Sequence, residues 1–169
     1  MKNRVFTGTL ILLVLLTCGI FIKADSQIQT PSPKFKVAVR VNCDNQVHQS
    51  LLEGTIKREL RSFGDVQIVG SNSGLWKYLI TVNLFGIEEH DGKVNAYATS
   101  TRFYIKIPIE HIAPHWQEHY RESPAVYLPT GYTGVYGINK IETLGKTTAA
   151  DFDKGALQPI RDIQTRNSR

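Results

Sequence analysis

Two apolar-rich runs joined by a tight turn constrain this chain more than any other feature. Trp76–Ile87 and Val94–Ile107 are rich in aromatic and β-branched residues, the side chains that suit a pleated surface. Glu88–Lys93 lies between them and holds Asp91-Gly92, a strong hairpin signal because glycine accepts the positive φ that such turns need. The two runs read as a long antiparallel pair, and the other elements must be arranged around it.

The residues ahead of the hairpin add a strand, a helix and a strand. Phe35, Val37, Val39 and Val41 alternate with Lys36, Ala38, Arg40 and Asn42, the period-two pattern of a half-buried strand. Asp44 or Asn45 suits a helix N-cap. Val47, Leu51, Leu52, Ile56, Leu60 and Phe63 then recur at helical spacing, with Glu53, Lys57, Arg58 and Arg61 on the other side. Gly64 ends this helix, and Val66–Val69 makes a short strand. The core expected from these patterns includes Val39, Leu51, Ile56, Leu60 and Val82.

Beyond the hairpin the periodicity stops. Residues Pro108–Gly137 carry four of the seven prolines, three histidines, Trp116 and four tyrosines, and read as an irregular segment. Ile138, Ile141, Leu144, Thr148 and Phe152 restore helical spacing, with a helix end near Gly155 and a polar tail over Asp162–Arg169 that frays. The fold class is therefore α+β. It has a mixed four-stranded sheet in the order β-α-β-β-β, the irregular segment and a final helix, with both helices on one face.

The N-terminus points to export. Lys2 and Arg4 precede an uncharged run, Val5–Ile22, closed by Lys23, which is the pattern of a secretory signal. Ala24 offers a small residue for cleavage. The run is also long enough for an uncleaved anchor, which would leave the body outside the cytoplasm. Leu15-Leu16-Thr17-Cys18 suits lipid attachment at Cys18, as in a bacterial lipoprotein. All three readings place the body on the non-cytoplasmic side, whether periplasmic, secreted or membrane-anchored. Membrane contact runs only through residues 5–22, if they are retained. The chain divides into 1–24 as signal or anchor, 25–33 (DSQIQTPSP) as a linker, and 34–169 as one domain.

Charge and cysteine content narrow the partners. The net charge is +5, but removing Lys2, Arg4 and Lys23 leaves +2. The body shows no basic run like those that bind nucleic acid. Cys43 is the single cysteine of the body, so no internal disulfide can form there, and a buried, inert thiol is its ordinary role.

The order strand Phe35–Asn42, helix Asp44–Phe63, strand Val66–Val69 and hairpin resembles the small α+β modules of bacterial envelope proteins. The amino-terminal domain of TolB and the penicillin-binding-protein activator LpoB are examples. That resemblance is one of architecture. It implies a non-catalytic module that binds another envelope protein.

Two groups of candidate site residues fall in the irregular segment. Tyr127, Tyr132 and Tyr136, with Trp116, offer flat apolar area with polar tips on a Gly-rich stretch, as protein interfaces use. The alternative is tyrosines packed on the sheet. His111, His115 and His119 are spaced by four, which on a helix would align three imidazoles for Zn²⁺ or Cu²⁺. Pro114 interrupts such a helix, and HWQEH is not the His-Glu-x-x-His of a zinc hydrolase. No phosphate loop, dinucleotide fingerprint, calcium loop or nucleophile elbow is found, and no cofactor is expected. The function expected is that of an exported, non-catalytic binding or accessory module. The alternative is a metal-binding or enzymatic domain built on the histidine segment.

Overall fold

A computed structural model describes residues 35–107 and 125–167, with the backbone alone for 125–130. All belong to the unit Pro33–Arg169. The domain is α+β around a mixed sheet. The strands are β1 (Phe35–Asn42), β2 (Val66–Ile68), β3 (Tyr78–Glu88), β4 (Val94–Lys106) and β5 (Ala125–Gly137). Their spatial order is β2-β1-β3-β4-β5. β1 pairs in parallel with β2 and β3, while β3–β4 and β4–β5 are antiparallel. Helix α1 (Gln46–Ser62) joins β1 to β2, and α2 (Ile141–Phe152) follows a short 3₁₀ turn at Ile138–Lys140.

The sheet has five strands, where the sequence pattern gave four. The added strand lies in the stretch read as irregular. β5 contains Pro129 and glycines 131, 134 and 137, residues that propensity assigns to turns. They are tolerated because β5 is an edge strand with an irregularity where Pro129 falls, so its missing donor breaks no ladder.

Local signals account for the other elements. The Asn45 side chain accepts hydrogen bonds from Val47 N (3.0 Å) and His48 N (3.1 Å), which caps α1. Gly64 follows the helix at φ 78°, the left-handed conformation that ends a helix at low cost. At the hairpin tip Gly92 has φ 76°, and the Asp91 carboxylate accepts from Lys93 N at 3.0 Å.

The core lies between the sheet and the two helices. Phe35, Val37, Val39, Val41, Tyr78, Ile80, Val82, Leu84 and Phe103 come from the sheet. Leu52, Ile56, Leu60, Ile141, Leu144 and Phe152 come from α1 and α2, and all are buried. The Phe152 ring meets Phe103 at 5.3 Å and Tyr78 at 6.1 Å, both edge to face. α1 and α2 approach closely at Gly145, where an added Cβ would lie 2.7 Å from Thr55 Cγ2.

One expected core residue is on the surface. Leu51 is 40% exposed, and Val47 more so, whereas Leu52 is fully covered. The buried stripe of α1 runs through Leu52, Thr55, Ile56 and Leu60. Val47 and Leu51, one turn apart, lie along its outer edge.

The C-terminal segment also departs from the sequence reading. The chain does not leave the helix near Gly155. It passes through a π-helical turn, Asp153–Leu157, and continues as α3 (Gln158–Asn167). Ala156 and Leu157 are buried there. Arg161 holds α3 in place. It donates from Nε and Nη2 to both carboxylate oxygens of Asp65 (2.7 and 2.8 Å) and from Nη1 to Asp153 (2.6 Å). Its guanidinium also lies 5.4 Å from the Phe35 ring centre. The carboxylates of Asp65, then Asp153, raise the Arg161 pKa further, despite the opposing effect of burial.

Candidate functional site

The sheet has two faces, and strand periodicity assigns every residue to one of them. The inner face meets the helices. The outer face carries Lys36, Ala38, Arg40 and Asn42 from β1, and Leu79, Thr81, Asn83, Phe85 and Ile87 from β3. Ala96, Ala98, Ser100, Arg102, Tyr104 and Lys106 come from β4, and Thr133 and Val135 from β5.

Cross-strand register arranges these residues in rows. One row is Arg40–Thr81–Arg102, the next Asn42–Asn83–Ser100–Thr133, and the next Phe85–Ala98–Val135. Ile87 and Ala96 form the last row. The Asn42 amide donates to Asn83 Oδ1 at 2.6 Å, which joins β1 to β3 across the second row. The face is closed at one end and open at the other. Ala38 and Leu79 are buried at the closed end. At the open end Phe85 is 61%, Ile87 38% and Val135 67% exposed. An apolar band with a polar row beside it is thus presented to solvent on a rigid sheet.

Charge on this face is of one sign. Lys36, Arg40, Arg102 and Lys106 lie on it, and no acid occupies an outer-face position in the described strands. Lys106 is occupied, since its ammonium donates to Gly74 O at 3.1 Å and lies 5.8 Å from the Trp76 ring centre. Arg40 and Arg102 are exposed and have no ion-pair partner among the described residues.

The tyrosines of β5 are divided by an irregularity in β4–β5 pairing. Tyr132 pairs with Thr101 and Tyr136 with Tyr97, both inner-face positions. The Tyr132 ring packs half-buried against the core, and its hydroxyl lies 2.8 Å from Thr148 Oγ1 of α2. Burial raises the Tyr132 pKa, and the hydroxyls of Thr148 and Thr101 partly offset this. Tyr136 also packs on the core. A Cβ on Gly134 would come within 3.0 Å of the Tyr136 ring, so glycine makes room for it. Tyr127 pairs with Tyr104, a position of the outer face. The strand thus separates Tyr127 from Tyr132 and Tyr136.

Trp116, His111, His115 and His119 lie outside the described residues, as do residues 5–22 and Cys18. Among the described residues no group of three or more His, Cys, Asp or Glu side chains could hold a metal ion. No helix among them is long and apolar enough to cross a membrane. Cys43 is half-buried against the core. Its thiol adjoins the buried Tyr97, whose hydroxyl lies 2.7 Å from His48 Nδ1. Burial, then the Cys43 thiol and the Asp44 carboxylate, push the Tyr97 pKa up to about 12.

The outer-face residues were within reach of the sequence. Phe85 and Ile87 occupy positions in β3 where alternation demands polar side chains, and that break in the pattern is the signal that marks them in the sequence. Val135 had no such signal, because β5 itself was not recognisable.

No known protein family matches the sequence, and no curated protein does. Among solved structures, a PelC dodecamer from Paraburkholderia phytofirmans is similar at 13% identity and a TM-score of 0.37. It spans 73% of this chain and 88% of that one. A Xanthomonas campestris protein assigned to DUF330 is similar at 9% identity and a TM-score of 0.38, over 81% of this chain and 92% of that one.

Proposed function

We propose that this chain is an exported, non-catalytic binding module of the cell envelope that holds its partner against the open end of the outer sheet face. The observation that carries the reading is the row Phe85–Ala98–Val135, with two large apolar side chains exposed beside a polar row. Isolated exposed apolar residues are ordinary, but side chains aligned across three strands on one rigid face suit a partner that buries them together.

Export is supported by Lys2, Arg4 and the uncharged run Val5–Ile22. The likeness of the β1-α1-β2-hairpin order to envelope modules of the TolB and LpoB kind supports a binding rather than a catalytic role. Another envelope protein is the partner class this reading names.

The test uses the full chain as bait in detergent extracts of the native envelope. Phe85→Ser with Val135→Ser should abolish capture of its partner and leave the melting temperature within a few degrees of wild type. Undiminished capture by that variant would remove the outer face from the function.

A further inference from the structure

Regular pairing fails at one place between β4 and β5, and that place is lined by polar groups. Between the pairs Thr101–Tyr132 and Phe103–Leu128, β4 has Arg102 alone, while β5 passes through residues 129–131. The extra length is a bulge, and bulges re-aim strands and the side chains beside them. A cleft of about 280 Å³ opens there, lined by Ser100, Thr101, Arg102, Gly131, Tyr132 and Thr133. That is just below the roughly 300–1,000 Å³ of sites for drug-sized ligands, so it suits one compact group.

The outer-face donors at this cleft are unspent among the described residues. Arg102 is exposed and has no ion-pair partner among the described residues. Arg40 stands in the same row two strands away, roughly 10 Å between backbones at ordinary strand spacing, and is equally free of an ion pair there. Ser100 and Thr133, directly paired, add two hydroxyls. Thr101 forms part of the wall, but its side chain turns to the inner face, where its hydroxyl adjoins that of Tyr132. With no acid at an outer-face position of the described strands, the two guanidinium groups raise each other's electrostatic energy, and a bound anion relieves it. A guanidinium fork matches a pair of oxygens on one centre. Donors arriving from three strands need acceptor oxygens in more than one plane, which a tetrahedral phosphate has and a carboxylate lacks.

We infer that the bulge cleft is a phosphate site, with Arg102 as the bidentate donor, Ser100 and Thr133 as hydroxyl donors, and Arg40 completing the charge. The phosphate is taken either free or as the head group of a phospholipid. The inference rests on the outer face being the working surface and adds the chemistry of what is held beside the apolar row.

Calorimetry of the full chain with inorganic phosphate at low salt tests it. Flotation with vesicles of phosphatidylglycerol or of phosphatidylcholine separates the sources. Arg102→Gln should weaken phosphate binding by about tenfold or more, the loss of one charge-assisted pair of hydrogen bonds. Lys36→Gln, on the same face beyond the closed end, should leave it nearly unchanged. Vesicle binding that free phosphate does not compete with, and that Arg102→Gln abolishes, identifies a lipid head group. Binding of free phosphate with no flotation identifies the free anion. Equal losses for Arg102→Gln and Lys36→Gln would mean diffuse charge and overturn the site, as would no binding of either probe. Phosphate binding retained in the Phe85→Ser/Val135→Ser variant, with capture also retained, would leave this site standing and sink the partner reading. Capture lost in that variant, with wild type binding neither phosphate nor vesicles, would sink the site and leave the partner reading standing.

Discussion

Tyr132 shows how much a single side chain decides in this domain. Its sequence context, on a glycine-rich stretch with two other tyrosines, suits an interface, yet its hydroxyl is bonded to Thr148 beneath α2. Thr148 is itself buried, so Tyr132→Phe should leave that hydroxyl without its partner. A loss of about 1–3 kcal/mol in denaturant unfolding is expected. Leu60→Ala removes a fully covered side chain of α1 and should cost roughly 2–5 kcal/mol from lost transfer energy plus a cavity. Tyr97 makes the stability depend on alkaline pH. Its pKa rises from 10.0 to about 12 in the folded state, so the unfolded chain releases this proton first as pH increases. Stability is unaffected by Tyr97 below pH 10, falls between 10 and about 12, and does not change further on its account above that. Burial also raises the Tyr78 and Tyr132 values, which adds to the same loss. Melting temperatures recorded from pH 8 to 11 should drop above pH 10, and less steeply in Tyr97→Phe; parallel curves would contradict the assignment.

Elements were legible where side chains alone position them. β1, α1 and the hairpin strands carry clean periods and local stop signals, so their existence and order could be read directly from Phe35–Val41, Asn45, Gly64 and Asp91-Gly92. β5 was hidden because an edge strand can accept the proline and glycines that would disrupt a central one. α3 was hidden because it depends on contacts distant in sequence. Asp65 lies in the turn after α1, and nothing near Arg161 announces the pairing. The site was legible only in part, as Phe85 and Ile87 break the alternation while Arg40 and Arg102 meet in one row only through a register the sequence does not state. Two substitutions test the element contacts. Gly145→Ala gains about 1 kcal/mol of helix propensity but drives a methyl into Thr55, whose branched side chain is stiff. A net loss of about 1–3 kcal/mol is expected. Arg161→Met removes the guanidinium that bridges two partly buried carboxylates and should cost about 2–4 kcal/mol, with amide exchange in α3 accelerating more than in α1.

At the scale of the molecule, the two sheet faces divide the work. The inner face with its helices supplies stability, and the outer face keeps Arg40, Arg102 and exposed apolar side chains that pair with nothing among the described residues of the fold. Export would put that face in contact with envelope components. Intact mass of protein from a secreting host should show a mature chain starting near Asp25. Full-length protein in the membrane would select the anchor instead, and full-length protein confined to the cytoplasm would contradict export. The central claim, that the outer face is where a partner sits, is tested most directly by site-specific photo-crosslinking in intact envelopes. A crosslinking residue placed at Val135 should capture a discrete partner, while one at Arg58, on the exposed side of α1, should capture none. Crosslinks from Arg58 and none from Val135 would contradict the account.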